Sequence, residues 1–387
     1  MNREQILVWF HRALASVDPR PLTAASLEGG EPGATVIAIG KAARAMALGA
    51  ADALRSVTGV CVSDSRGVVP DGVELLVGDH PVPGRASFEA GRRVIETARA
   101  SEGRCIVLLS GGGSALCEQP IPGVPEEFVA QATRALLNGG ASIGETNLVR
   151  GQLSAIKAGG LARAARGSVE TLVLMDVSGL GPETVASGPT LGGGDAADRA
   201  LATLVRYGVD VPPDIEDAIR AADRPPVRGP VRVIADGRDA ALALARAAES
   251  DGVAATVADG WLGGPTSEAV NRFLAWSGHG ISVAAGETTL EVAGGGRGGR
   301  NTHAALLAAL AIQGQDALFA ALATDGVDGG SGSAGAIVDG RTMGRGGEPG
   351  PALAAFDSAS YLQTTQDLVV TGRTGTNVAD LWVLWRA

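Results

Sequence analysis

Two lysines, Lys41 and Lys157, stand against thirty arginines in this chain of 387 residues. A sequence that writes arginine wherever a cation is wanted keeps lysine where a guanidinium cannot serve. The ammonium is a compact point charge on a flexible stem, suited to meeting a phosphate, whereas the guanidinium is a broad planar fork. Each lysine touches a glycine segment, in Ile39-Gly40-Lys41-Ala42-Ala43 and Ile156-Lys157-Ala158-Gly159-Gly160. Lys41 reads as a functional cation. Lys157 is a candidate phosphate contact, but it follows a helical pattern and is equally explained as a charge placed against a helix C-terminus.

Glycine turns supply the second set of candidates. Ser110-Gly111-Gly112-Gly113-Ser114 follows an apolar run, and three glycines let successive N–H groups point at one anion. A plain tight turn is the alternative. Gly294-Gly295-Gly296-Arg297-Gly298-Gly299-Arg300-Asn301 contains GxGxxG, and Asp325 closes the following strand pattern, so a dinucleotide is a serious rival there. Two arginines within the turn suit polyphosphate oxygens better than the close backbone approach a pyrophosphate needs. Gly298, Gly299 and Asn301 are the phosphate candidates of that turn. Neither segment has the spacing of a Walker A loop.

Carboxylates lie close by in the pattern. Asp325-Gly326-Val327-Asp328 brings two into one turn, and Asp176 ends another strand; such hard oxygen ligands suit Mg²⁺ riding on nucleotide phosphates. Asp-Gly is also the commonest turn dipeptide. Glu287 could meet a metal or a ribose, or serve as an edge charge. Asp79 and His80, in a loop stiffened by two prolines, could act as an acid–base pair or form a hydrogen-bonded corner. Asn147 and Arg150 share a helix face. Arg373 and Asn377 lie in a polar turn after a strand, where Arg373 could hold a hydroxy-acid carboxylate; Arg150 is the other candidate for that task.

Composition narrows the setting. The net charge of −10 and the lack of a basic run with interleaved aromatics exclude a nucleic-acid surface. Cys61, Cys105 and Cys117 form no CxxC pair and fit reduced thiols in the cytoplasm. The first residues do not read as a signal peptide, and no apolar run of about 18 residues predicts a membrane span. Four scattered histidines without HExxH argue against zinc.

These residues need a scaffold. Short apolar runs (Val36–Ile39, Cys105–Leu109, Thr171–Met175, Val231–Ala235) each lead through a polar turn into a helical pattern, which predicts crossover connections and mostly parallel pairing. Ligands of such sheets bind beyond the strands' carboxyl ends, where these turns lie. The length favours two domains, and prolines between Pro212 and Pro230 mark the best linker. A strand pair is expected at Ile281–Ala285 and Thr288–Val292, and a turn-rich loop over Gly340–Pro351.

Taken in order, the motifs resemble the MOFRL-type glycerate 2-kinases, a family that often carries the name hydroxypyruvate reductase. The resemblance covers nearly the whole chain. It rests on Ala38-Ile39-Gly40-Lys41, Gly78-Asp79-His80-Pro81, Leu109–Ala115, Asn147-Leu148-Val149-Arg150, Leu153-Ser154-Ala155-Ile156-Lys157 and Ala186-Ser187-Gly188-Pro189-Thr190. The second half adds Gly286-Glu287-Thr288-Thr289, Gly298-Gly299-Arg300-Asn301, Thr324-Asp325-Gly326-Val327-Asp328-Gly329 and Thr374-Gly375-Thr376-Asn377. It implies an N-terminal Rossmann-like α/β/α sandwich with a mostly parallel sheet over 1–222, and a C-terminal mixed α/β domain over 228–387 that holds the MOFRL region from about 280. An active site between them, ATP and Mg²⁺, D-glycerate as acceptor and 2-phosphoglycerate as product are implied too. The family's catalytic lysine falls on Lys41 and its conserved arginine on Arg300. A reductase using NAD(P)H remains the rival reading, and a homodimer stays open as the assembly.

The chain departs from the family pattern in places. Leu180, Gly151, Gln152, Thr302, His303 and Gly332 stand where charged, imidazole or amide groups are usual. These exchanges predict an acceptor selectivity shifted away from D-glycerate.

Overall fold

The computed structural model describes residues 1–177 and 180–387, which form two units. One holds Pro19–Met175 and Leu180–Ile234. The other holds Met1–Asp18, Asp176 with Val177, and Ala235–Ala387. Two of the four residues of the Asp176-Val177-Ser178-Gly179 motif, Ser178 and Gly179, lie outside the described residues.

The first unit is built on six strands: β1 (Ala34–Ile39), β2 (Val57–Ser63), β3 (Val73–Val77), β4 (Arg104–Leu109), β5 (Ser168–Leu174) and β6 (Val231–Ala235). Their order is β3-β2-β1-β4-β5-β6, with β1 parallel to β2 and β4, β2 to β3, and β4 to β5. Strands buried on both faces read as continuous apolar runs, as β1 and β4 do. The helix Arg85–Ala100 carries the return from β3 to β4. It buries Phe88, Val94 and Ile95 and leaves Arg92, Arg93 and Glu96 in water. A second apolar cluster gathers the helices Glu126–Asn138, Ile143–Leu153, Ala197–Arg206 and Pro213–Ala221 around Phe128, Leu136, Leu153, Leu204 and Ile219.

The proline-rich segment 212–230 is therefore no linker. Pro213 opens a helix, where a fixed φ and a missing N–H cost nothing, and Ile215 and Ile219 enter that cluster. The unit runs on to β6, so the division falls near 235 rather than between 222 and 228. The helix Arg3–Ser16 groups with the C-terminal residues; Trp9 Nε1 donates to Asp251 (2.7 Å).

The second unit holds β7 (Ala255–Val257), β8 (Leu262–Pro265), β9 (Gly280–Thr289), β10 (Ala317–Ala323), β11 (Gly335–Asp339), β12 (Leu368–Val369) and β13 (Asp380–Arg386). The order is β12-β11-β10-β13-β9-β7, with β8 also on β9. β7 and β8 run parallel to β9, and the remaining pairs are antiparallel. Phe273, Phe319 and Trp382 meet edge to face in its core, with 5.6 Å between the Phe319 and Trp382 ring centres. In place of the expected pair Ile281–Ala285 and Thr288–Val292 there is one strand, β9, which runs through Gly286 and ends at Thr289. Gly286 passes within it because any Cβ would lie 2.1 Å from the Leu262 carbonyl oxygen of β8. The expected loop Gly340–Pro351 contains the short helix Thr342–Gly346 and the start of another, Gly350–Ala354.

Candidate functional site: the crevice beyond β1 and β4

In the first sheet the chain leaves β1 toward β2 and leaves β4 toward β5, so the order reverses between β1 and β4. That switch point opens a crevice at the strands' carboxyl ends. Two turns wall it. Gly40-Lys41 leaves β1, and Ser110–Gly113 leaves β4. The Lys41 amide donates to the Gly111 carbonyl (2.9 Å), and the Ala42 amide to Ser110 Oγ (3.0 Å). Gly40 has φ +129°, and Gly112 lies in the left-handed region at +81°. A Cβ on Gly112 would sit 3.2 Å from Lys41 Cγ, so the half-buried lysine stem lies along this glycine. The amides of Gly111, Gly112 and Gly113 meet no acceptor among the described residues. Lys41 and the Ser110–Ser114 turn, proposed from sequence, are thus brought together.

Ser114 begins a chain of hydrogen bonds. Asn147 Nδ2 donates to the Thr184 carbonyl (3.3 Å), which fixes the amide so that its oxygen accepts from Ser187 Oγ (2.7 Å). With the Ser187 proton engaged there, the 2.8 Å contact between Ser114 and Ser187 has Ser114 as donor. Ser114 Oγ thus keeps its acceptor lone pairs. Ser187 is the residue the sequence reading passed over as a site group. Its only signal is the Ala-Ser-Gly-Pro-Thr motif. The backbone there is costly: Ala186 and Ser187 take φ +51° and +60°, at about 1–2 kcal/mol each for a non-glycine residue. The Ser187 and Gly188 carbonyls accept from the Ala158 and Gly159 amides (3.0 and 2.8 Å), holding the bend in place.

Lys157 is not a phosphate contact. It is 1% exposed, and its ammonium donates to Glu118 Oε2 and to the Cys117 carbonyl. Asp79 caps the helix Arg85–Ala100, its Oδ2 accepting from the Ala86 and Ser87 amides (3.1 and 3.4 Å), the hydrogen-bonded corner that was the other reading of this loop. His80 lies exposed beside it, before a cis Pro81. Gly151 and Gln152 are buried, and Gln152 Nε2 donates to the Gly194 carbonyl.

The second unit corrects the polyphosphate reading of the Gly294–Arg300 turn. The amides of Asn301 and Thr302, which open the helix Arg300–Ala311, donate to the two oxygens of Asp328 (2.9 and 2.8 Å). The protein's own carboxylate therefore occupies that helix terminus. Asn301 is fully buried and accepts from Trp382 Nε1 (3.1 Å), and a Cβ on Gly298 would meet Ser358 Oγ at 2.6 Å. Gly299 and Asn301 pack against the protein's own Asp328 carboxylate. Burial pushes Asp328 up to about 6 against the two amide bonds that favour its charge. Thr302 and His303, two of the departures, also lie inward: Thr302 Oγ1 accepts from the Gly299 amide, and His303 stacks on Phe356 at 5.5 Å.

Arg300 forms a two-pronged pair with Asp380 (2.6 and 3.1 Å) and a further bond to Glu287. Burial opposes its charge, but Asp380 and Glu287 outweigh that and hold its pKa above the ordinary value. Glu287 is thereby a partner of Arg300. Asp325 Oδ1 accepts from the Val327 amide (2.9 Å), the Asx turn its dipeptide allows, and its carbonyl accepts from Thr374 (3.3 Å). Asn377 Nδ2 donates to Asp176 Oδ2 (3.3 Å). Asp176 and Asp325 are thus both tied to the segment Thr374–Asn377, beside an exposed Arg373. Among the described residues no group of three His, Cys, Asp or Glu side chains is placed to hold a metal by itself.

A doubly wound parallel sheet with glycine turns and a lysine at its switch point defines an α/β protein of the Rossmann-like class. A family model described as "Domain of unknown function (DUF4147)" matches residues 5–220, and the MOFRL family matches 280–380. An Agrobacterium vitis relative named for hydroxypyruvate reductase is 34% identical, over 96% of this chain and 92% of its own. The D-glycerate 2-kinase of Thermotoga maritima is 35% identical over 89% of each chain. The crystal structure of a Thermotoga maritima glycerate kinase superposes with a TM-score of 0.87 at 31% identity, covering 99% of both. The chain belongs to the MOFRL-type glycerate 2-kinase family.

Proposed function

We propose that this protein transfers the terminal phosphoryl group of ATP to the 2-hydroxyl of D-glycerate, giving 2-phosphoglycerate and ADP. The observation that carries the reading is the placement of Lys41, one of two lysines in the chain, on the Gly40–Gly112 wall of the switch-point crevice. Phosphoryl transfer asks the protein for position and charge stabilisation more than for covalent chemistry. A bond forms between the glycerate hydroxyl oxygen and the γ-phosphorus as the bridging P–O bond to ADP breaks, and the hydroxyl proton leaves. Lys41 places a point charge at the transferring group, and the amides of Gly111–Gly113, which meet no acceptor among the described residues, can donate to oxygen atoms beside it.

ATP enters as its Mg²⁺ complex in this reading. Such an ion needs only one or two protein carboxylates besides phosphate oxygens, and Asp176 and Asp325 are its candidates. Arg300, held charged by Asp380 and Glu287, is the second candidate cation for the transferring phosphoryl. Three buried free thiols agree with a cytoplasmic setting. The inward positions of Gly151, Gln152, Thr302 and His303 support D-glycerate itself as acceptor, since those exchanges alter packing. Incubation with Mg-ATP across a panel of hydroxy acids, with ³¹P NMR of the products, tests this. D-glycerate as best acceptor and 2-phosphoglycerate as product are expected; a better acceptor, or 3-phosphoglycerate, overturns that part.

The strand order β3-β2-β1-β4-β5-β6 is also that of dinucleotide-binding domains, which keeps the reductase as second reading. Against it, the turn after β1 reads Gly40-Lys41-Ala42-Ala43, and the GxGxxG segment lies in the other unit with its helix terminus taken by Asp328. Saturable NADH binding with oxidation by hydroxypyruvate would reverse the ranking.

A further inference from the structure

Arg150 stands one turn beyond Asn147 on the same face of the helix Ile143–Leu153. Its side chain is half-buried, and burial lowers its pKa from the ordinary value, with Glu118 acting in the opposite sense. No hydrogen-bonded or ion-paired partner for its guanidinium occurs among the described residues. Glu118 cannot serve fully as its partner, because both carboxylate oxygens are engaged. Lys157 holds Oε2, while Ser154 Oγ (2.5 Å) and the Gln119 amide (2.9 Å) hold Oε1. Lys157 and Glu118 are each 1% exposed and neutralise one another. Two cations thus share one carboxylate, and the surplus positive charge sits on Arg150. A guanidinium does not shed its proton in a protein, and the hydration this half-buried one has lost is best replaced by an anion with hydrogen-bond acceptors.

We propose that Arg150 binds the carboxylate of the acceptor hydroxy acid. A planar fork matches a carboxylate through two parallel hydrogen bonds, a task for which a lysine is the poorer choice. Asn147, on the same helix face, anchors the Ser187–Ser114 chain whose terminal oxygen is an acceptor, suited to a substrate hydroxyl. Arg373, the rival carboxylate partner, is exposed on a turn of the other unit. The inference rests on the kinase reading and adds to it which end of the acceptor this unit holds.

Steady-state kinetics on Arg150→Ala, Arg150→Met and Arg150→Lys test it, with D-glycerate and its uncharged amide as acceptors and thermal melting as the fold check. In the alanine and methionine variants KM for D-glycerate rises by about 10- to 100-fold, the scale of a hydrogen bond to a charged group, while KM for ATP moves less than about twofold. The preference for the acid over the amide falls by the same factor, and lysine restores part of it. A rise in KM for ATP instead, or an unchanged acid-to-amide preference, overturns the assignment. If the wild-type protein phosphorylates no hydroxy acid, the kinase reading itself fails. Calorimetry with D-glycerate alone then reads the anion site directly: loss of binding in the folded methionine variant supports Arg150, and equal binding overturns it.

Discussion

A Cβ on Gly40 would lie 2.3 Å from Ser110 Oγ, so the ends of β1 and β4 touch through the one residue type that permits it. Gly40 also takes φ +129°, which side-chain-bearing residues avoid. Gly40→Ala is expected to cost about 1–3 kcal/mol from the strained backbone, with the clash added. It also pushes the Ser110 hydroxyl off the Ala42 amide. Activity should fall further than stability, and chemical denaturation run beside kinetics separates the two.

Lys41→Arg keeps the charge and changes its shape. The fork cannot lie along Gly112 and present one donor as the ammonium does. Melting should be unchanged, with kcat lower by about 100- to 1,000-fold, the loss seen when a donor to the transition state is removed. Full activity in this variant removes Lys41 from the chemistry.

The buried pair Lys157–Glu118 predicts a non-additive response. Lys157→Met leaves an uncompensated carboxylate in the interior and should cost about 3–5 kcal/mol. Combining it with Glu118→Gln removes the stranded charge, so the double variant should be more stable than Lys157→Met. A double-mutant cycle by urea unfolding reads the coupling.

Asp328 sets a pH dependence with a definite sign. Its pKa in the folded protein, about 6, lies above the ordinary carboxyl value near 3.8. Between those values the native state holds more protons than the unfolded chain, so this group's contribution to stability is present below pH 4 and is lost as the pH rises through 6. The shift corresponds to at most about 3 kcal/mol. Asp328→Asn should flatten that part of the stability profile between pH 4 and 6, and, offering one carbonyl to two amides, should be less stable than the parent at neutral pH. Comparing the pH dependence of unfolding in the two proteins cancels carboxylates with the opposite sign, such as Glu145, which is held down at about 2 by hydrogen bonds from Ser142.

The sequence by itself determined the repeating strand, turn and helix units, the crevice glycines and the singular character of Lys41, because these depend on local periodicity and residue type. β1, β4 and β5 lie where apolar runs placed them, and each polar turn follows a strand end. What only the tertiary structure decided is which charged group meets which. Lys157 and Lys41 look alike beside their glycines, yet Glu118, 39 residues before Lys157, makes the first a buried structural cation. The Gly294–Arg300 turn reads as an anion site until Asp328, 27 residues beyond Asn301, fills its helix terminus. The proline-rich stretch reads as a linker until the cluster around Ile215 and Ile219 turns it into a packed helix. Periodicity is carried by neighbours in the chain, whereas charge compensation and burial come from residues that only folding brings together.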